Sequence, residues 1–125
     1  MTDNYTPLER IVPYQTALKL SNDCWKIYER FDWQIKKVIG DQFIRAVDSV
    51  GANIAEGYGR FHYLDRIKFY YNSRGSLLEA KHWALLLKER QIITSEEYEN
   101  LISLLNNLHK ELNMYIKACY SSKNK

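Results

Sequence analysis

An all-α fold is predicted for this 125-residue chain from three features of its sequence. In four long segments, apolar residues recur at spacings of three and four, which is the period of an amphipathic helix. Short connections join these segments. No stretch alternates between polar and apolar residues as a half-buried strand does. The features together predict an antiparallel up-down-up-down four-helix bundle over residues 14–120, with helices at 14–31, 33–56, 63–90 and 95–119.

The ends of the chain and its composition are ordinary for a globular domain. Residues 1–13 contain Pro7 and Pro13 and are expected to form an N-terminal arm, and residues 121–125 a polar tail. Hydrophobic residues make up 46% and charged residues 26% of the chain, as in folded rather than disordered proteins. Because no leader pattern and no apolar run of ~18 residues is present, we expect a cytoplasmic protein with no membrane contact.

The first predicted helix carries two apolar strips. The strip expected to face the core consists of Ala17, Leu20, Cys24, Ile27 and Phe31, and the second consists of Leu18, Trp25 and Tyr28. Only one strip can serve the core of a single bundle, so the other predicts a further partner. Cys24 and Cys119 are expected to be buried, reduced thiols because a reducing cytosol disfavours disulfides.

The second predicted helix follows Asp32, a suitable N-cap, and extends to Glu56. Its apolar face consists of Phe43, Val47, Val50 and Ile54. Gly40 costs about 1 kcal/mol relative to alanine inside a helix, so a kink or a break can occur there. Gly57 and Gly59 are expected to stop the helix with backbone angles that other residues avoid.

The third predicted helix contains the whole charge excess of the chain. Residues 61–90 hold six basic and three acidic residues, the rest is balanced, and the net charge is +3. Its apolar residues fall on two faces, with Leu64, Ile67, Tyr71, Leu78 and Leu85 on one and Phe69, Ala80, Trp83 and Leu87 on the other. Gly75 is unfavourable inside a helix, and a close helix crossing is the simplest reason for its presence.

The fourth predicted helix has a clear start. Thr94 and Glu97 match the T-x-x-E capping box, in which each side chain accepts a hydrogen bond from the other residue's backbone N–H. The apolar stripe that follows consists of Leu101, Leu105, Leu108, Leu112, Tyr115 and Cys119.

Two motifs identify a resemblance to a known family. The first, R-A-x-x-S-[IV]-x-x-N-I-A-E-G-x-x-R, is formed by Arg45, Ala46, Ser49, Val50, Asn53, Ile54, Ala55, Glu56, Gly57 and Arg60, and the second by Arg74, Gly75, Ser76, Leu77, Leu78 and Glu79. In these motifs the chain resembles the bacterial four-helix-bundle family encoded within intervening sequences of 23S ribosomal RNA genes. The resemblance implies a ring-shaped homo-oligomer, with pentamers as the precedent, but no settled biochemical activity. The fold is also similar to that of the accessory variability protein of diversity-generating retroelements.

The polar residues of the motifs are interpreted first as structural. We expect Glu56 to form a buried charge network with Arg45 or Arg74 that joins the second helix to the third. Ser49, Asn53, Gly57 and Glu79 are assigned to the same network. Glu56 as a general base is the alternative, but no nucleophile, metal-ligand set or paired carboxylate accompanies it in the sequence. We therefore expect no enzymatic activity, no cofactor and no metal site.

A stretch of mixed basic and aromatic residues is the candidate binding surface. Its candidate nucleic-acid contacts are Arg60, Tyr63, Arg66, Lys68, Tyr70 and Arg74. Cations that neutralise phosphates, interleaved with rings that stack on bases, favour single-stranded nucleic-acid recognition, with RNA as the expected ligand. The alternatives are aromatics that fill the core and subunit contacts, and a protein-interaction scaffold without nucleic acid. A ring of copies would repeat a weak patch and raise its avidity.

Overall fold

The computed structural model describes residues 6–121, which form four long helices and no strand. Helix α1 spans Val12–Glu29 and follows a single 3₁₀ turn at Leu8–Arg10. Helix α2 is continuous over 33–58 and consists of an α-helical turn, Trp33–Ile35, a π-helical turn, Lys36–Gly40, and the α-helix Asp41–Tyr58. Helix α3 spans Tyr63–Glu89, and helix α4 spans Ser95–Ser121. Each helix begins and ends within two residues of its predicted position.

The N-terminal arm is shorter than the sequence predicts. Helix α1 begins at Val12, and both Ile11 and Pro13 are buried against the bundle. Pro13 lies in the first turn of α1, where proline is favoured because an N–H at that position has no acceptor within the helix. Residues 1–5 of the predicted arm and 122–125 of the predicted tail lie outside the described residues.

The four helices follow one another around the bundle. Helix α1 packs against α2 and α4, and helix α3 also packs against α2 and α4, with the contact between α2 and α3 the most extensive. Helices α1 and α3 therefore lie on opposite sides. The short connections make successive helices antiparallel, so the connection 59–62 lies at the same end as the start of α1 and the end of α4. We call this the loop-60 end and its opposite the far end.

The core contains the apolar stripes predicted for three of the helices. Fully buried residues from these stripes are Ala17, Leu20 and Cys24 of α1, Phe43, Val47, Val50 and Ile54 of α2, and Leu108 and Leu112 of α4. Leu18 and Trp25, from the second strip of α1, are about half exposed. Cys24 and Cys119 are both buried, and no disulfide forms within the described part of the chain. No helix in residues 6–121 is both long and apolar enough to cross a membrane.

Helix α3 buries a face that combines parts of the two predicted ones. Its buried residues are Ile67, Tyr70, Ser73, Leu77, Ala80, Ala84 and Leu87. Leu64, Tyr71, Leu78 and Leu85 are 38–54% exposed, and their spacing of seven places them in a single row. We call this row the α3 ridge. Ser73 is completely buried, but its hydroxyl donates to the Val50 carbonyl over 2.7 Å, so its polar atom is satisfied.

Gly40 lies in a π-helical turn rather than at a break. The N–H of Asp41 donates to the carbonyl of Lys36, five residues earlier, and the helix continues through Gly40. A Cβ atom at Gly40 would lie 2.9 Å from Cδ2 of Phe31. The glycine therefore allows the turn after α1 to pack closely against α2.

The two glycines at the end of α2 do not adopt the backbone angles predicted for them. No glycine among the described residues has a positive φ, and Gly57 is fully helical. A Cβ atom at Gly57 would lie 2.8 Å from Cε1 of Tyr70, whereas at Gly59 it would make only ordinary contacts of 3.6 Å or more. Gly57 is thus required for the close approach of α3 to α2.

Gly75 does not mark a close helix crossing within the chain. A Cβ atom built there meets nothing within 4 Å. The prediction from sequence is therefore wrong for the single chain. Gly75 instead lies on the outer surface, between Tyr71 and Leu78 of the α3 ridge.

The capping box before α4 is confirmed. The Thr94 N–H donates to Oε1 of Glu97 over 2.9 Å, and the Glu97 N–H donates to Oγ1 of Thr94 over 3.0 Å. Arg30, at the end of α1, also pairs with Glu97 at 2.6 Å. Burial raises the pKa of Glu97, but the hydrogen bonds from Thr94 and Arg30 outweigh it and hold the pKa below its usual value. These contacts hold the two connections of the far end together.

Candidate nucleic-acid interface

Part of the predicted basic surface collects at the loop-60 end. Arg60 lies in the connection between α2 and α3, and Tyr63, Arg66 and Lys68 lie in the first two turns of α3. His62 is the N-cap of α3, and its Nδ1 accepts a hydrogen bond from the Leu64 N–H over 3.4 Å. The positions of these side chains are therefore set by the start of a long helix.

Arg60 is held by two neighbours. Its guanidinium pairs with Glu56, one turn earlier, at 2.6 Å, and lies 4.8 Å from the centre of the Phe69 ring. Both charged side chains remain exposed, Arg60 to 44% and Glu56 to 52%. An exposed pair of this kind contributes little to stability, about 0–1 kcal/mol. Arg60 is thus oriented by its neighbours while its charge stays accessible to solvent.

Arg66 and Lys68 carry charge that the described chain leaves unpaired. No carboxylate of residues 6–121 forms an ion pair with either side chain. Arg66 donates from Nε to the Arg60 carbonyl over 2.7 Å, which ties the connection 59–62 down onto α3. Lys68 is exposed, with its Nζ 6.0 Å from the centre of the Phe69 ring.

The aromatic residues of the predicted surface separate into two groups. Tyr63 stays partly exposed and stacks on His62, with ring centres 5.4 Å apart. Tyr70 is 3% exposed, lies edge-on to Tyr115, and has a pKa raised to about 12 by burial. The prediction that Tyr70 contacts nucleic acid is therefore wrong, because its ring is part of the core.

Arg74 is separated from the loop-60 end. It lies eight residues after Arg66, about 12 Å along the helix. Its Nη1 donates to Oδ1 of Asn113 over 2.8 Å, and its guanidinium lies 4.6 Å from the centre of the Tyr71 ring. The pKa of nearby His109 is lowered first by burial and then by the positive charges of Lys81 and Arg74. Arg74 thus belongs to the contact between α3 and α4 rather than to the cluster around Arg60.

The expected buried network around Glu56 does not form among the described residues. Glu56 is exposed and pairs with Arg60, while Arg74 bonds to Asn113. Arg45 is exposed, forms no ion pair within residues 6–121, and faces Glu79 across a cleft of about 220 Å³. The sequence did not show this because helical spacing places residues on a face without showing whether the face is covered.

Other motif residues do join α2 to α3. The hydroxyls of Ser49 and Ser76 lie 3.0 Å apart across the two helices, and within α2 the Nδ2 of Asn53 donates to the Ser49 carbonyl over 2.9 Å. Gly57 supplies the space for Tyr70 described above. The contact between these helices therefore relies on small and neutral polar groups rather than on charge.

One exposed residue at the loop-60 end is not marked by any spacing rule. Phe61 is 95% exposed, more than any other large hydrophobic residue among those described. Phe61 is one of the rings in the stretch of mixed basic and aromatic residues, two positions after Gly59, but its place in the sequence does not show whether the ring is exposed. No group of three or more potential metal-ligating side chains occurs in residues 6–121.

Comparison with known proteins gives a family and a fold. The family model described as 23S rRNA-intervening sequence protein matches residues 9–114. A crystal structure of a protein with unknown function from the S23 ribosomal protein family of Bacteroides thetaiotaomicron is similar, with a TM-score of 0.77 and 24% identity. That similarity covers 85% of this chain and 96% of the other. No curated protein matches the chain.

Proposed function

The chain belongs to the 23S rRNA-intervening sequence protein family, and from this premise we propose that it is a homo-oligomer that binds nucleic acid, with RNA as its ligand. The loop-60 end is the binding surface, and the protein acts by binding rather than by catalysis. The observation that carries the proposal is the cluster of Arg60, Arg66 and Lys68 beside exposed aromatic rings. Two of these three cations have no ion-pair partner in the described chain.

Electrostatics favour a polyanion at this end. Phosphates attract unpaired guanidinium and ammonium groups and release counterions on binding, so affinity depends strongly on salt. The start of α3 adds the positive end of a 27-residue helix. Arg66 is fixed by its bond to the Arg60 carbonyl, so a phosphate contact to it costs less conformational entropy than one to a free side chain.

Self-association is supported by two exposed surfaces on opposite sides of the bundle. The α3 ridge is a row of exposed apolar side chains on one side. On the other, a cleft of about 270 Å³ between α1 and α2 is lined mainly by small residues, Ala17, Ser21, Gly51, Ala52 and Ala55. The ridge of one copy can pack into the cleft of the next. Contacts between different surfaces of identical subunits repeat from copy to copy and close into a ring when the rotation allows.

Charge also favours this pairing of ridge and cleft. Arg74 lies three residues after Tyr71 and four before Leu78, and Lys81 lies three after Leu78 and four before Leu85, so both flank the ridge. Asp48 lies at the edge of the cleft. A ring built in this way repeats the loop-60 end once per subunit, so that several weak sites act on one strand.

Reversing the charge of the cluster should remove binding. In the triple variant Arg60→Glu, Arg66→Glu, Lys68→Glu, affinity for a single-stranded RNA is expected to fall at least about tenfold at moderate salt, because each lost phosphate contact weakens binding. Fluorescence anisotropy of a labelled RNA measures the change. The molecular mass should match that of the wild type, and the melting temperature should fall by only a few degrees, because the variant loses the exposed Arg60–Glu56 pair and the bond from Arg66 to the Arg60 carbonyl.

The matched control reverses three cations at the far end. Lys26, Lys37 and Arg90 are exposed, form no ion pair in residues 6–121, and can be replaced by glutamate with the same change in net charge. The control should bind RNA nearly as well as the wild type. Equal loss in both variants would contradict a localised site. A protein partner retained from nuclease-treated lysate, with no RNA binding, would favour the scaffold alternative.

A further inference from the structure

Phe61 is the residue at the loop-60 end whose exposure the fold does not explain. Its side chain is 95% exposed and makes no ring contact or cation–π contact among the described residues. Single exposed apolar residues are common on protein surfaces. What distinguishes Phe61 is where its ring is placed.

The connection that carries Phe61 is fixed rather than loose. The Gly59 N–H donates to the Ala55 carbonyl over 3.2 Å, and the Arg60 N–H donates to the Gly57 carbonyl over 3.1 Å. On the other side, Arg66 bonds to the Arg60 carbonyl and His62 caps α3. Backbone bonds before Phe61 and a cap after it hold the backbone of this position, so a ligand has only the side chain of Phe61 to order.

Cations and further rings lie on the same connection as Phe61 and in the first turns of α3. Arg60 precedes it, and Arg66 lies against the same connection through its bond to the Arg60 carbonyl. The stacked rings of His62 and Tyr63 follow directly in the chain. A flat, accessible ring beside unpaired positive charge is the arrangement in which proteins stack a base while neutralising its phosphates.

We propose that Phe61 is a stacking platform for an unpaired nucleobase, so that the loop-60 end selects single-stranded segments and loops over continuous duplex. The proposal rests on the proposed nucleic-acid binding and assigns to one residue the contact that distinguishes single strands from duplex. In a duplex the base faces are covered by their neighbours, and only backbone and groove edges are accessible. Duplex can therefore use Arg60, Arg66 and Lys68 but not the Phe61 ring.

Two substitutions at this exposed position test the platform without touching the core. Phe61→Leu keeps an apolar side chain but removes the aromatic face, and Phe61→Trp keeps a larger one. With a single-stranded oligouridylate as probe, Phe61→Leu should lower affinity about tenfold, the typical loss of one base–aromatic stack, and Phe61→Trp should not lower it. For a blunt RNA duplex of the same length, the affinities of the wild type, Phe61→Leu and Phe61→Trp should agree within about twofold.

Tryptophan fluorescence is a second measurement, and RNA would not change it if the residue at position 61 had only a structural role. The tryptophan introduced by Phe61→Trp should be quenched when oligouridylate binds, measured against the wild type with its Trp25, Trp33 and Trp83. If Phe61→Leu left the affinity for oligouridylate unchanged, or lowered the affinity for duplex equally, the stacking role of Phe61 would be contradicted. The proposed nucleic-acid binding would not be. A change of molecular mass in Phe61→Leu would instead assign the ring to a subunit contact and contradict the stacking role. Absence of RNA binding by the wild type would overturn the proposed function itself.

Discussion

Replacing Gly57 with valine is expected to lower the free energy of unfolding by about 3 kcal/mol, the upper end of the usual cost of overpacking a core. The first atom of any side chain at this position would lie 2.8 Å from Cε1 of Tyr70 and 3.1 Å from Cβ of Phe69. Tyr70 cannot move aside easily, because it is buried and packed against Tyr115. The melting temperature should fall by roughly 10 °C.

The neighbouring glycine provides the control for Gly57→Val. At Gly59 an added Cβ atom would meet only carbonyl oxygens of Glu56 and Ala55, at 3.6 and 3.7 Å. Gly59→Val should therefore change stability by less than about 0.5 kcal/mol, as exposed substitutions usually do. Thermal unfolding followed by circular dichroism at one fixed protein concentration compares the variants, since assembly makes the melting temperature depend on concentration. Equal melting temperatures would show that close packing at Gly57 is not needed.

Replacing Leu78 with aspartate is expected to dissociate the oligomer. Leu78 is half exposed and central in the α3 ridge, so the variant chain should fold normally. If the ridge of one copy packs into the cleft of the next, the variant replaces an apolar contact with a carboxylate that must lose its water and face Asp48, and desolvating an ion costs several kcal/mol. Light scattering at micromolar concentration should give a multiple of 14.9 kDa for the wild type and a mass near 14.9 kDa for the variant.

The control for Leu78→Asp is an exposed apolar residue outside the ridge. Met114 lies on the outward face of α4 and is more exposed than Leu78. Met114→Asp should leave the mass of the wild type unchanged. An unchanged mass in Leu78→Asp, or a wild type that is a single chain, would contradict assembly through the α3 ridge.

Much of the fold follows from helical spacing and from the residues at helix ends. The stripes of α2 and α4 have one continuous apolar row each, so the row and the buried face coincide. On α1, the strip expected to face the core is the buried one, and Leu18 and Trp25 of the second strip are half exposed. The N-cap at Asp32 and the capping box at Thr94 are confirmed by hydrogen bonds of 2.9–3.0 Å. Local signals of this kind depend on neighbours within one turn, which a sequence displays directly.

Helix α3 shows where spacing stops being informative. It is apolar on more than one side, so its spacing is compatible with several core faces. Which face is buried depends on the groups that α2 and α4 present to it. Ser73 is buried in the core, where its hydroxyl donates a hydrogen bond to the Val50 carbonyl, whereas Leu78 is half exposed. Likewise, Gly57 was correctly marked as special, but its reason is the Tyr70 ring thirteen residues later rather than its own backbone angles.

The candidate site could be predicted only in part, because helical spacing does not show which residues of α3 are buried. Arg60, Arg66 and Lys68 are close in sequence and remain together in the structure, whereas Tyr70 and Arg74 lie further along α3 on faces that other helices cover. The partner of Glu56 is one turn away and exposed, so its charge did not require the buried network expected from its motif. Burial depends on long-range packing, which spacing along one helix does not display.

The dependence of RNA affinity on salt tests the central claim most directly. For single-stranded RNA, the logarithm of the binding constant falls with the logarithm of salt concentration with a slope of about −0.7 per neutralised phosphate. A short RNA that spans one loop-60 end, with its three cations, should therefore give a slope of about −2. A longer RNA that reaches several copies should give a steeper one. A slope near zero for both lengths would contradict nucleic-acid binding through this surface.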